Sequence, residues 1–238
     1  IATGPVHGIQ MKNGRLVATV WMSDRERSDR NKISTNSRYQ ASCIYSDDSG
    51  KSWKAGGLVP PTISRLNECT VLERADGSLI MNIRAHQAGF RAISTSKDGG
   101  VSWSPPLLDK NLHCPTCQGS SIRFSKNEIL FLNPAGDERE NLTLRLSSDE
   151  GQSWPHARVI QKGRAAYSDI AITKNKEILC LFENGKEKYH EKISIIKVTR
   201  EWLTTDDPTC SNSQRPANNS PLVKELPAHA GLPDPFLK

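Results

Sequence analysis

One eight-residue pattern occurs three times in this chain and constrains its architecture more than any other feature. It runs from Ser46 to Trp53, from Ser96 to Trp103 and from Ser147 to Trp154, each time as Ser-x-Asp-x-Gly-x-Ser-Trp. The copies lie about 50 residues apart, a period that belongs to a repeated supersecondary unit. The pattern has a local physical reading. An Asp two residues after a Ser can turn its carboxylate onto main-chain N–H groups, and the following Gly reaches positive φ without a steric penalty, so each copy is a self-capped turn. The closing Trp presents a large apolar face suited to filling the space between neighbouring sheets.

The segments between the boxes repeat as well. Asn67 to Glu73 and Leu79 to Arg84 flank the turn at Asp76-Gly77, and Arg91 to Thr95 leads into the second box. Ser120 to Phe124, Ile129 to Leu132 and Leu142 to Leu146 repeat this order ahead of the third box, and Asp169 to Ile172, Ile178 to Phe182 and Ile193 to Val198 begin it again. Nearer the start, Asn13-Gly14 between apolar runs marks a hairpin, and Tyr39 to Tyr45 enters the first box. Units of four short strands at this period predict an all-β fold, a β-propeller with about four blades in the chain. The propeller region is expected over residues 1–203, with an irregular or disordered tail over 204–238, where Pro, Asn, Asp and Ser dominate. Ser23 to Ser37, rich in charge and poor in apolar residues, reads as a long solvated loop.

Bulk properties narrow the functional classes. No apolar run approaches the length that crosses a bilayer as a helix. The formal charge of +6 is spread among acids, without a basic run interleaved with aromatics, so nucleic acid is not an expected partner and an anionic small substrate is. Cys114-Pro115-Thr116-Cys117 has the spacing of half a zinc site but no second pair, so buried thiols or one local disulfide are expected and a metal is not. The opening Ile1-Ala2-Thr3-Gly4-Pro5 reads as the middle of something, so a truncated or processed chain is expected. A secreted or periplasmic location is the working expectation, and Asn141-Leu142-Thr143 and Asn218-Asn219-Ser220 are glycosylation sequons only in a secreted eukaryotic protein.

Four residues stand where bland surface logic does not require them: Glu68 and Arg84 at the ends of strands, Arg139 in the link from Pro134 to Asn141, and Tyr167 ahead of Ser168-Asp169. Singly they read as rim carboxylate, surface arginines and core aromatic. In a propeller, however, the starts of inner strands and the links between blades converge at the channel mouth, where the four could meet.

The boxes are similar to the Asp boxes of sialidases, and the segments between them resemble the exo-sialidase family. The likeness is carried by Gly4 to Gln10, Asn67-Glu68-Cys69-Thr70 through Arg84, Cys117-Gln118-Gly119-Ser120, Arg139 to Arg145, and Ala166-Tyr167-Ser168-Asp169. The resemblance implies a six-bladed ring, sialylated glycans as substrates, no cofactor and no metal. It further implies Tyr167 as nucleophile, Glu68 as its base, and Arg84 and Arg139 as clamps on the substrate carboxylate. The same family uses a third arginine in a Phe/Tyr-Arg-Ile-Pro segment and an acid Asp after it. Neither segment occurs in these 238 residues, and chain order would put both upstream of Gly4. The expected activity is that of a retaining exo-α-sialidase, with activity of this chain alone in doubt. The competing expectation is a non-catalytic Asp-box propeller that binds a glycan or a protein.

Overall fold

The computed structural model describes residues 1–23 and 39–205, together with the main chain of 222–227; the loop expected at Ser23 to Ser37 falls almost wholly outside them. The described chain is built from antiparallel strands, with one five-residue helix, α1 (Arg200–Thr204), capped by the side chain of Thr199. Four units of sheet follow one another. The first contains β1 (Ala2–Thr3), β2 (Ile9–Gln10), β3 (Leu16–Ser23), β4 (Tyr39–Ser46) and β5 (Lys54–Ala55), with β3 as the strand on which β1, β2 and β4 pair. The second runs β6 (Leu66–Glu73), β7 (Leu79–Ala85), β8 (Phe90–Ser96) and β9 (Leu107–His113) in chain order across one sheet.

The third and fourth units share a strand. β10 (Ser120–Arg123), β11 (Ile129–Pro134) and β12 (Glu140–Ser147) pair onto the first half of β13 (His156–Ile172). The second half of β13 pairs with β14 (Ile178–Asn184), which is followed by β15 (Lys192–Val198) and β16 (Leu222–Pro227). The sequence reading starts the fourth unit at Asp169, whereas the strand begins at His156. One 17-residue strand, with Gly163 at a φ of +73° inside it, ends one sheet and opens the next. Within the stretch expected to be irregular, Leu222–Pro227 forms the strand beside β15.

The boxes sit where expected, on the turns after β4, β8 and β12. In each, the first Ser hydroxyl donates to the Asp carboxylate, at 2.7 Å from Ser46 to Asp48, from Ser96 to Asp98 and from Ser147 to Asp149. The same carboxylates accept the main-chain N–H of Ser52, Ser102 and Ser153 at 2.8 to 2.9 Å. Gly100 shows why the fifth position is glycine: its φ is +94°, and a Cβ there would meet Cys43 Sγ at 2.7 Å.

Apolar clusters join consecutive units. Val17, Ala41 and Cys43 of the first pack with Leu79, Met81, Ile83 and Trp103 of the second. Leu72 and Ile80 meet Ile129 and Trp154 of the third. Leu130, Leu144 and Leu146 share a core with Ile170, Phe182 and Ile196 of the fourth. Trp103 and Trp154 therefore lean on the unit before their own, and for the first box one expectation is corrected. Trp103 is 7% exposed, but Trp53, in the first unit, is 45% exposed, because none of the described units precedes it to cover its face. At the other end, Leu181 and Ile193 on the last unit are also exposed.

Candidate active site

The start of β6 and the middle of β13, where it turns from one sheet to the next, are both irregular. Leu66 pairs with Ala85 and Cys69 with Ile83, so three steps along β6 oppose two along β7. Ala165 pairs with Asn184 and Ser168 with Phe182, which is the same mismatch between β13 and β14. An extra residue in one strand of a pair bends it and re-aims its side chains. Glu68 lies in the first irregularity and Tyr167 in the second.

Their side chains meet, although the residues lie in the second and fourth units. The Tyr167 hydroxyl donates to Glu68 Oε1, and Arg84 Nη1, from the end of β7, donates to Glu68 Oε2. Arg84 Nη1 also donates to the Tyr167 hydroxyl oxygen at 3.0 Å, closing a triangle. The Arg84 and Glu68 side chains are only 11% and 12% exposed, so their charges attract through little water. Burial pushes the Tyr167 phenol well above the ordinary tyrosine range, and the hydrogen bond to anionic Glu68 pushes it further in the same direction. Tyr167 is therefore neutral at neutral pH, with a carboxylate aimed at its proton.

Arg139 approaches from the link between β11 and β12. It donates through Nη2 to Thr116 O at 3.2 Å, and its guanidinium lies 5.5 Å from the Tyr167 ring centroid and 4.9 Å from that of Tyr189. Among the described residues it has no carboxylate partner, so the two rings and one carbonyl hold a cation whose charge is unneutralised. All four residues singled out in the sequence are thus drawn to one place.

Other neighbours were not legible beforehand. His86 stacks on Tyr39 with ring centroids 5.4 Å apart, and its Nε2 lies 3.0 Å from Asn67 Nδ2. Burial, with the charges of Arg84 and Arg65, brings the His86 pKa down to about 4, which leaves the imidazole neutral. His7, from the link between β1 and β2, reaches Asp169 at 2.8 Å; the hydrogen bond to Asp169 raises its pKa against the opposing effect of burial. Gln118 is 1% exposed and binds the main chain of Ser168. The only forward signal for these residues was that His7, Gln118 and Asp169 sit in segments carrying the family likeness. Cys114 and Cys117 are reduced and fully buried, packed with Ala166 under Tyr167 and Tyr189. Among the described residues no group of three or more His, Cys, Asp or Glu side chains is gathered as a cation site.

Sheet units with Asp-box turns between their strands, and a Tyr, Glu and Arg cluster gathered at two strand irregularities, define an Asp-box repeat protein with a polar site between its sheets. Comparison with known proteins gives the family. Residues 1–180 match the BNR repeat-like domain, and the chain belongs to that family. The sialidase of Micromonospora viridifaciens is 33% identical over 164 residues, covering 64% of this chain and 25% of its own. Sialidase-3 of Mus musculus is 26% identical over 261 residues, covering 89% of this chain and 62% of its own. Among solved structures, the Hadza microbial sialidase Hz136 superposes with a TM-score of 0.70 at 26% identity, over 85% of this chain and 38% of that one. The chain thus spans about a quarter to three fifths of the length of these curated relatives.

Proposed function

We propose that this chain carries the nucleophile half of a retaining exo-α-sialidase site, set in a six-bladed propeller of which about four blades are present. The observation that carries the reading is the triangle of Tyr167, Glu68 and Arg84. Sialic acid bears a carboxylate on its anomeric carbon, which repels an anionic nucleophile at the atom to be attacked. A neutral phenol avoids this, and sialidases are known as the glycosidases that use Tyr in place of a carboxylate. The Tyr167 oxygen bonds to the anomeric carbon as its proton passes to Glu68 Oε1, and the bond to the leaving oxygen breaks. That oxygen takes its proton from the acid that the family likeness assigns to an upstream segment. Water then attacks the anomeric carbon, giving its proton to the upstream group that acted as acid in the first step, as the Tyr167 phenolate departs and is reprotonated by Glu68.

Arg84 and Arg139 hold the substrate carboxylate in this scheme. Arg84 has a buried Nε without a protein partner, and Arg139 has no carboxylate partner among the described residues. Planar guanidinium groups bind carboxylates through paired, charge-assisted hydrogen bonds. The exposed Trp53 at one end of the four units, and Leu181 and Ile193 at the other, support a longer ring, because they are faces that neighbouring units cover elsewhere in the chain.

Release of fluorophore from a sialoside tests the reading. Turnover is expected from a longer form that includes the arginine and acid segments, and little from the 238 residues alone, since a general acid contributes about 10²- to 10⁴-fold. Glycan binding that survives Tyr167→Phe, with no sialic acid released by either form, would replace the enzyme with a binding module.

A further inference from the structure

We infer that Gln118 is a positioning residue for Tyr167: its side-chain amide serves as a one-residue strand partner that holds the bulge at the height where the phenol meets Glu68 and Arg84. The inference rests on the reading of Tyr167 as the nucleophile. In a regular sheet the ladder of main-chain hydrogen bonds sets how far along a strand each side chain emerges. Between Ala165 and Ser168 that ladder with β14 is interrupted, and the interruption contains Tyr167. Main-chain groups freed in this way need other partners when buried.

Side chains meet the main chain both inside the interruption, at Tyr167, and at Ser168, where register with Phe182 resumes. Tyr167 N–H donates to Glu183 Oε2 at 3.2 Å. Ser168 N–H donates to Gln118 Oε1 at 2.9 Å, and Gln118 Nε2 donates to Ser168 O at 2.8 Å. A planar amide offers a donor and an acceptor side by side, so Gln118 meets both groups of one residue as a neighbouring strand would. Gln118 is 1% exposed and Ser168 6%, so neither bond is readily replaced by solvent. The seat of Gln118 is itself tight: a Cβ on Gly119 would meet Phe131 Cζ at 2.8 Å and Asn133 Cβ at 3.2 Å. On its other side, Cys117 belongs to the buried cluster against which the Tyr167 ring packs, and Thr116 O accepts from Arg139. One short segment therefore supports both the phenol and an arginine beside it. Gln118 touches no reacting atom and acts through Ser168.

Site-resolved nitration by tetranitromethane at pH 8, read by peptide mass spectrometry on the 238-residue protein, tests this, because the reagent attacks the phenolate. Gln118→Met keeps the shape and removes both hydrogen bonds. Tyr167, released from Glu68, is expected to be nitrated about tenfold faster, which corresponds to about one unit in the phenol pKa. Tyr45, in the first unit, should keep its rate. Gln118→Glu retains the acceptor for Ser168 N–H, and a rise of about threefold or less is expected, intermediate on the same scale. An unchanged Tyr167 rate in Gln118→Met overturns the inference, as does equal acceleration of Tyr45 and Tyr167 in both variants, which would make Gln118 a general support of the fold. In sialoside turnover by the longer form, Gln118→Met should lower kcat while KM stays within about twofold, since only the nucleophile has moved. Absence of turnover in the unsubstituted longer form would count against the enzymatic reading and leave the nitration comparison on the 238 residues intact, so the two failures are distinguishable.

Discussion

Trp53 and Trp103 close the same motif in consecutive units, yet replacing each by Ala should cost different amounts. A Trp side chain covering about 200 Å² carries about 5 kcal/mol at about 25 cal/mol per Å² when fully buried. With 7% of Trp103 and 45% of Trp53 exposed, the transfer contributions fall to about 4.6 and 2.7 kcal/mol. A compact unfolded chain lowers these to about 3 and 2 kcal/mol. Trp103→Ala also opens a cavity between the first two units, adding about 2 kcal/mol. Against this, it removes an indole N–H that is buried without a partner, which returns about 1 kcal/mol. Solvent fills the space left by Trp53, so no cavity contribution arises there. The expected losses are about 4 kcal/mol for Trp103→Ala and about 2 for Trp53→Ala, a gap of roughly 4–8 °C in Tm for a chain of this size. Urea titration of both variants measures it through the midpoints at unchanged m. Equal losses, within about 0.5 kcal/mol, would refute the argument that a box Trp is held by the unit before its own. In a longer form that contains a preceding blade, the cost at Trp53 should rise toward that at Trp103.

Further outcomes follow from the site. Glu68→Gln keeps neutral partners for Arg84 and Tyr167 but removes the base, so sialoside turnover should fall about 10²- to 10⁴-fold, with stability changed by about 1–2 kcal/mol; unchanged turnover would exclude Glu68 as the base. Arg139→Ala should weaken binding of a sialic-acid analogue by about 1.5–3 kcal/mol while leaving Tm within a few degrees, as isothermal titration and melting would show. The His7 pKa is raised, so its bond to Asp169 contributes stability that is fully present below about pH 6.5 and lost as pH rises through the folded value; Asp169→Asn should remove this term of about 0.5–1 kcal/mol, the pair being partly exposed. His86 has the opposite sign: its pKa of about 4 gives stability present above about pH 6.5 and lost as pH falls toward 4. After discounting for partial exposure this amounts to about 1–2 kcal/mol, and His86→Gln should flatten the acid limb of a stability-versus-pH curve.

The candidate site was legible in part. Glu68, Arg84, Arg139 and Tyr167 were recognisable because charged and phenolic side chains at the ends of apolar strands need a reason to be there, and because their segments resemble one family. Gln118, His86 and Asp169 were not, since an amide, a neutral imidazole and a half-exposed carboxylate have ordinary uses. Their roles here depend on partners up to 162 residues away, as for His7 and Asp169.

The sequence by itself determined the repeat. Ser, Asp, Gly and Trp at fixed offsets form a turn through contacts within a few residues, so three copies at one period announce units of sheet wherever the rest of the chain goes. What only the tertiary structure decided is the meeting of Glu68 and Tyr167, 99 residues apart. That contact depends on two strand irregularities which period-two patterning does not reveal, and on how each sheet packs on the one before. The same packing decided that identical tryptophans differ in burial, because burial belongs to the neighbouring unit and the motif carries only the side chain. A turn is settled by local hydrogen bonds, whereas a cluster of side chains formed between sheets is settled by the surfaces that bring them together.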